Sequence, residues 1–293
     1  MYIPINVTFV DDITRYKQAE KKMTKNYFFI IILLISLTSC GQETFEFESK
    51  INPEKIYTLS MNMSSTNNVK YLTERTDLKD KTSEGKSSTV MTRITTTKKL
   101  EENGQFPAII EYGKIIKIAN GNRTENPITG TIVKGFYKEN SLIVQEVISE
   151  QLNEKTKNSI KYALENVKPD IEFPKEHLKI GDSFEHKMPM SIPIDGANPV
   201  KIDIIKNFTL KSVKNNIASF NMKEIIQLST EIEQANVIIS NGTGNGIVEF
   251  DVLENHLIKN KAFFTIELNV KINNELTVNT IVEMNSEIST TIE

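Results

Sequence analysis

The chain has 293 residues, of which 39% are hydrophobic and 25% are charged, and its net charge is −3. This composition is typical of a globular protein and excludes a disordered or fibrous chain. The acidic balance gives no electrostatic reason to expect nucleic acid as a partner, and a single cysteine excludes an intramolecular disulfide.

The N-terminal segment has the pattern of a secretory signal. Residues 27–37 are apolar and uncharged, and Lys21, Lys22 and Lys25 stand just before them. The run is shorter than the about 20 residues that a membrane-spanning helix needs. We therefore predict a signal peptide over residues 23–39. Removing residues 1–39 takes away five basic and three acidic side chains and leaves 30 basic and 35 acidic ones, a net charge of −5.

The signal ends at Leu37-Thr38-Ser39-Cys40, which resembles the lipobox of bacterial lipoprotein precursors. In that class of protein the peptide is cut before the cysteine, which is then acylated. The resemblance implies that Cys40 carries lipid and that the membrane is a partner through it, because several buried acyl chains hold a soluble domain on a bilayer. The alternative is a buried cysteine at the end of a core helix.

The domain boundaries follow from this signal. We expect translation to start at Met23, so that residues 1–22 are an extension outside the natural protein; the alternative is a genuine cytoplasmic extension. Residues 40–52 are predicted as the lipidated cysteine and a polar tether, and residues 53–293 as one β-rich domain.

Residues after Cys40 carry sorting information. No aspartate follows the cysteine directly, which resembles an outer-membrane destination in Gram-negative bacteria. Glu43, Glu46 and Glu48 are similar to a weak surface-export signal of Bacteroidota-type lipoproteins. We expect the protein in the cell envelope, anchored to the outer membrane at its periplasmic face or at the cell surface.

The first half of the domain alternates in the two-residue period of β-strands. Gly113 suggests a bulge or bend, and residues 138–141 suggest a hairpin turn. The predicted strands are residues 55–63, 69–76, 87–97, 106–119, 131–137 and 142–148.

One segment has helical spacing. Leu152, Ile160, Leu164 and Val167 fall on one face of a helix predicted within residues 149–167, before Pro169. This stripe either packs as core against the sheet or lines a lipid-binding cavity. The same two alternatives hold for the methionines, which suit an adaptable pocket; the residues concerned are Met61, Met63, Met188, Met190 and Met222.

The last ninety or so residues are again rich in strands, with Asn215-Asn216 and Asn273-Asn274 as turns. Long antiparallel strands joined by short turns predict a mainly β fold. We expect one large curved antiparallel sheet, an open or half barrel, with one amphipathic helix packed on it. The predicted strands are residues 200–210, 217–228, 235–240, 246–253, 257–272 and 276–292.

No motif in the chain points to a catalytic, cofactor or metal site. The glycine-rich residues 242–246 precede a strand and lack the Gly-Lys-Ser/Thr of a phosphate-binding loop, so we interpret them as a flexible hairpin loop. His177, His186 and His256 lack the spacing of zinc ligands. We predict a protein that is not an enzyme and needs no cofactor.

Three stretches resemble a known family. They are Pro53 to Met63, Leu178 to Phe184, and Gly246 to Asp251, the last with Ser286-Glu287-Ile288 near the end of the chain. Together they resemble uncharacterised Bacteroidota-type lipoproteins with a β-rich domain of unknown function. The resemblance implies a lipid anchor and a β-rich body, and it carries no catalytic residues. In predicted shape the chain is also similar to periplasmic lipoprotein carriers, but it has no motif of that family.

Three hypotheses for the function remain open. The first is a membrane-anchored binding or structural protein that holds a lipid or another hydrophobic ligand. The second is an envelope hydrolase with a carboxylate site, and the third is an assembly subunit of an envelope complex.

Overall fold

A computed structural model describes residues 43–79, 81–167, 171–192, 200–228, 237–271 and 275–293. The predicted signal peptide and lipobox, Leu37, Thr38, Ser39 and Cys40, lie outside these residues. Thr44–Glu293 forms one compact unit, which begins nine residues before the predicted domain start at residue 53.

The unit is mainly β with one helix, as predicted. In chain order the elements are β1 (Thr44–Phe45), β2 (Ile56–Thr73), β3 (Thr82–Thr97), β4 (Gln105–Ala119), β5 (Asn122–Glu125), β6 (Ile132–Lys138), β7 (Ser141–Ile148), α1 (Glu154–Glu165), β8 (Leu178–Lys179), β9 (Ser183–Ile192), β10 (Val200–Lys214), β11 (Ile217–Leu228), β12 (Val237–Asp251), β13 (His256–Lys271) and β14 (Leu276–Ile292).

Twelve of the strands form one antiparallel sheet, which confirms the predicted fold class. The order is β7-β6-β4-β3-β2-β14-β13-β12-β11-β10-β9, with β5 paired to β4. The sheet is open, since β7 and β9 end the path without closing it into a barrel. The first long strand lies beside the last one, with Tyr57 opposite Ile292. Strands β1 and β8 form a separate two-stranded sheet.

Short turns join neighbouring strands because asparagine tolerates positive φ. Asn215 and Asn216 have φ of 50° and 65° between β10 and β11, and Glu139 and Asn140 have φ of 48° and 65° between β6 and β7. Both predicted hairpins are therefore confirmed. The predicted turn at Asn273-Asn274 lies outside the described residues.

The predicted bulge in β4 is also confirmed. The pairing of β3 with β4 shifts between Met91, opposite Ile115, and Arg93, opposite Tyr112, so β4 has one extra residue at Gly113-Lys114. A side chain at Gly113 would collide with the Thr92 hydroxyl.

Helix α1 begins at the cap residue Asn153, whose side-chain oxygen accepts a hydrogen bond of 2.9 Å from the Thr156 amide. Ile160 is buried, and Leu164 packs against the same cluster. The prediction was wrong for Val167, which lies beyond the helix and is 69% exposed, because α1 already ends at Glu165.

The segment before β2 belongs to the fold over its described residues. Phe47 is only 6% exposed, Thr44 pairs with Lys179, and the Lys50 amide donates to the Asn255 carbonyl at 2.9 Å. The polar tether predicted over residues 40–52 is therefore packed from Thr44 onward. The sequence did not predict this packing, because Phe45 and Phe47 alternate with acidic residues and the segment therefore resembles a polar tether.

Within the part of the chain that the structure describes, no helix is long and apolar enough to cross a membrane.

Candidate functional site

One face of the large sheet is apolar across the strands, and the other face is polar. Directly paired residues of an antiparallel ladder point to the same side. The register therefore places Phe208, Met222, Ala262 and Met63 in one row across the sheet. It extends the same side to Ile110 on β4. We term this side the apolar face and the opposite side the polar face.

The polar face carries mostly charged, amide and hydroxyl side chains, with exposed apolar side chains such as Val90, Ile225 and Ile247 between them. Its cross-strand ion pairs include Lys261 with Glu287 at 3.1 Å and Lys187 with Asp203 at 3.0 Å. These pairs suit a surface in contact with water, where each contributes less than about 1 kcal/mol. Most of the polar face is therefore suited to contact with water.

Both ends of the apolar face are covered. At the β9–β12 end, the segment around Phe47 packs on Phe220, with ring centroids 5.3 Å apart, and Phe173 packs on Phe250 at 4.8 Å. At the β4–β7 end, α1 places Ile160 against Val144 and neighbouring residues. For the helix stripe the structure thus favours the core alternative at Leu152, Ile160 and Leu164.

The middle of the apolar face is less buried than its two ends. Its apolar side chains on β2, β3, β13 and β14 are only partly buried. Among the described residues, the two buried core clusters lie on either side of this stretch and include none of these side chains. We term this stretch the open strip; it comprises Leu59, Met61, Met63, Val69, Tyr71, Met91, Phe264, Ile266, Leu268, Val278, Val282, Met284 and Ile288.

Methionine is concentrated on the apolar face. Met61, Met63, Met91 and Met284 lie in the open strip, and Met188 and Met222 lie on the same side toward β9. Met222 is buried core, while the other five are partly exposed. Unbranched, polarisable thioethers fit ligands of varied shape, so this composition suits an adaptable apolar surface. The predictions singled out Met61, Met63, Met188 and Met222 on this face, but they missed Met91 and Met284.

The sheet bends sharply at β12. The Cα atoms of β11 and β13 come within 8 Å of each other, whereas second-neighbour strands of a flat sheet lie about 9.5 Å apart. A Cβ atom at Gly244 would lie 3.3 Å from Cβ of Glu224 and 2.7 Å from Cβ of Phe264. These two side chains converge on the apolar face, which is therefore the concave side of the bend.

This bend corrects the interpretation of residues 242–246. They were expected to form a flexible hairpin loop, but they lie inside β12. Gly242, Gly244 and Gly246 alternate, so all three face the concave side. Side chains there would collide with Ile226, Phe264 and the backbone of β13, and glycine is the residue that permits such a close approach.

A row of ionisable side chains crosses the apolar face beside this bend. His186 pairs with Lys206, and Lys206 pairs with Glu224, on β9, β10 and β11. Glu224 is 7% exposed and His186 is 4% exposed. The rows on either side are apolar, with Phe208 and Met222 below and Ile204 and Ile226 above. We term His186, Lys206 and Glu224 the polar row.

Burial and the charge of Lys206 act in opposite directions on the pKa of Glu224. Burial raises the pKa of the Glu224 carboxyl above its ordinary value, and the positive charge of Lys206 partly opposes that rise. In the described part of the chain, neither side chain forms a hydrogen bond or an ion pair within 4.0 Å. His186 lies with Nδ1 3.8 Å from a carboxylate oxygen of Glu172.

The three histidines lie at separate places. His177 is 3.8 Å from Glu46 near the β1–β8 pair, and the ring of His256 contacts the ring of Tyr57 with centroids 4.8 Å apart. No three His, Cys, Asp or Glu side chains come together to hold a metal ion within the residues described.

Two open concavities lie elsewhere. One, of about 360 Å³, is a groove on the polar face lined mainly by Asn62, Asn245, Phe263, Asn285 and Glu287. The other, of about 820 Å³, lies where β2 ends and is lined mostly by polar and charged side chains, including Lys70, Arg75 and Glu275. Neither concavity includes the polar row.

Comparisons with known proteins do not identify a function for this chain. No family model and no curated protein matches the chain. A structure described as "Lipid-protein interactions in lipovitellin" is 9% identical over 83% of this chain, with a TM-score of 0.39. This chain spans 26% of that protein. A mutant of the Rh. blastica porin and a structure described as "Asymmetric conductivity of engineered proteins" each cover 80% of this chain and 100% of their own, at 10% identity and a TM-score of 0.19.

Proposed function

We propose that the protein is a non-enzymatic, lipid-anchored protein of the bacterial cell envelope that holds a hydrophobic ligand on its apolar face. The observation that carries the proposal is the open strip. Contiguous apolar surfaces left exposed on a folded domain mark binding sites, and here covered core bounds the strip on both sides. A chain-like ligand such as a lipid would complete the burial that α1 and Phe47 provide at the two ends.

The proposed anchor rests on the sequence. The lipobox Leu37-Thr38-Ser39-Cys40 supports acylation of Cys40 and retention at the outer membrane, at its periplasmic face or at the cell surface. In this proposal the chain belongs with the Bacteroidota-type lipoproteins that it resembles. A domain held at a membrane would meet lipids at high local concentration, which supports a lipid as the ligand.

Catalysis has less support. Burial raises the pKa of Glu224, which is the direction that a general acid requires. However, the carboxylate that the contacts place beside the row is Glu172, which is 76% exposed and lies 3.8 Å from His186, two strands away from Glu224. No contact pairs it with Glu224 for the two-carboxylate chemistry of glycoside hydrolysis. We therefore place Glu224 in binding.

A protein partner is the second candidate, because the open strip would also suit a partner in an envelope complex. The two candidates predict different molecules bound to the purified protein. A lipid would be extracted by organic solvent and would leave a monomer, whereas a partner would be captured by cross-linking at the strip.

The test is purification of the chain from cells followed by native mass spectrometry and lipid extraction. We expect a bound amphiphile in the wild type and its loss in the double variant Met61→Lys, Met284→Lys, which charges the strip. The matched control is Asn62→Lys, Asn285→Lys, which adds the same charge to the polar face of the same strands and should keep the ligand. No co-purifying amphiphile in the wild type, or equal amounts in both variants, would reject the proposal.

A further inference from the structure

The polar row deepens the proposed function and rests on it. The row places three ionisable side chains, with Glu172 beside His186, in an otherwise apolar, concave surface, where burial of a charge costs free energy. Glu224 is more than nine-tenths buried on the concave side of the bend. Its carboxyl has no hydrogen bond in the described part of the chain. Its oxygen atoms are nevertheless not among the fully buried, unpartnered polar atoms of the described residues, so a ligand can reach them.

We propose that the polar row binds the anionic head group, a carboxylate or a phosphate, of an amphiphile whose chain lies along the apolar face. Lys206 supplies the positive charge, because it is half-buried and forms no ion pair within the described residues. An ammonium group that is partly removed from water attracts an anion more strongly than one on the surface does.

Glu224 supplies the second contact. Burial raises the pKa of its carboxyl, and an anion bound beside it raises that pKa further. The carboxyl therefore takes up a proton when the head group binds, and its O–H group donates a hydrogen bond to that head group. Paired side chains of adjacent strands have Cβ atoms about 5 Å apart, so the two groups can reach one head group. At Gly244, the next position of the row, no side chain separates Glu224 from Phe264.

The position of the row suits an amphiphile better than a free ion. Ile204 and Ile226 flank it on one side and Phe208 and Met222 on the other. Phe264, one strand beyond Gly244, begins the open strip. A head group at Lys206 would therefore place the attached chain across β13 and β14.

The experiment compares four dodecyl amphiphiles that differ only in their head groups. Dodecanoate, dodecyl phosphate, dodecanol and dodecylammonium each displace phenyl naphthylamine, an uncharged fluorescent probe, from the full chain as cells accumulate it. Acetate and inorganic phosphate serve as head groups without a chain. We expect the two anionic amphiphiles to bind about tenfold more tightly than dodecanol, and acetate and phosphate alone not to displace the probe.

Variants assign the effect to the row. Lys206→Met should remove the tenfold preference for the anions without changing the affinity for dodecanol, and Lys206→Arg should restore it. Glu224→Gln, which keeps a donor, should retain the preference. The matched control is Lys223→Met, which removes a positive charge from the polar face at the position before Glu224. It should not change the preference for the anions.

The outcomes separate this inference from the proposed function. Equal affinity for dodecanol and dodecanoate, tighter binding of dodecylammonium, or an unchanged preference in Lys206→Met would overturn the polar row as an anion site while leaving the apolar face as a binding surface. Failure of all four amphiphiles to displace the probe would overturn both.

Discussion

Glu224 is a residue whose burial costs the fold free energy. The pKa of its carboxyl is raised because burial penalises the charged form. The folded chain thus holds this proton more tightly than the unfolded chain does. The penalty is fully present above the folded pKa and is relieved as the pH falls through it toward the ordinary value of 4.5.

We therefore predict that Glu224→Gln stabilises the protein at neutral pH, by about 1 kcal/mol. The gain should shrink as the pH is lowered, because the wild-type carboxyl then becomes neutral as well. Urea unfolding across a pH series measures both effects. Glu283→Gln, an exposed position on the polar face of β14, is the control. A loss of stability in Glu224→Gln at neutral pH would instead mean that an ion pair with Lys206 supports the fold.

The alternation of β11 could have revealed Glu224 from the sequence. Phe220, Met222 and Ile226 are apolar at every second position, and Glu224 is the one charged residue in that series. An acidic residue at an inward position is a signal for function or strain. Its neighbours Lys206 and His186 could not be predicted, because only the pairing of β9, β10 and β11 brings the three together.

At the scale of elements, the alternating glycines of β12 determine where the sheet bends. We predict that Gly244→Ala destabilises the protein by about 1–3 kcal/mol. The added methyl group would lie 2.7 Å from Cβ of Phe264 and 2.9 Å from the Phe263 carbonyl oxygen, so β13 has to move away. Thermal unfolding measures the loss.

Gly85→Ala is the matched control for that experiment. It lies in β3, and its nearest neighbour would be the Asn120 side chain at 3.8 Å, an ordinary contact. Similar effects of the two substitutions would show that the cost is the general one of replacing glycine in a strand and not the closeness of β11 to β13.

The segment before β2 supplies the second prediction at this scale. Phe47→Ala should destabilise the protein by about 3–5 kcal/mol, because its ring packs against Phe173 and Phe220, each with a centroid distance of 5.3 Å. Phe263→Ala, at a half-exposed ring on the polar face, should cost much less. If the urea midpoint of Phe47→Ala matched the wild type, the segment would be dispensable for the fold.

Local signals predicted some elements well and others poorly. Helix α1 and the hairpins at Asn215 and Asn140 follow from cap, period and turn residues that act within a few positions. Strand β12 was split in the prediction because Gly242 to Gly246 read as a turn. Tertiary pairing with β11 and β13 overrides that local preference, and it likewise carries β2 through the polar run from Ser64 to Asn68.

At the scale of the whole molecule, the sequence predicts one antiparallel sheet but not its strand order. Apolar residues at every second position show that each strand has an apolar side, and these sides together form the apolar face. It does not reveal that β2 lies beside β14, because that contact joins opposite ends of the domain. The open strip is formed by these strands and their neighbours, so the candidate site is a property of the assembled sheet.

The last prediction tests the proposed lipid anchor at Cys40. The apolar run at residues 27–37 is shorter than the about 20 residues that a helix needs to span a bilayer. Retention of the protein at the membrane should therefore depend on acyl chains at Cys40. One acyl chain binds only marginally, whereas two or more hold a domain stably. We predict that Cys40→Ser abolishes incorporation of radiolabelled palmitate and moves the protein from the membrane fraction to the soluble fraction or leaves an unprocessed precursor. Ser39→Ala keeps a small residue before the cleavage site and should leave labelling intact.

Unchanged membrane retention in Cys40→Ser would show that another part of the chain holds the protein there, and the apolar face would then be the first surface to test.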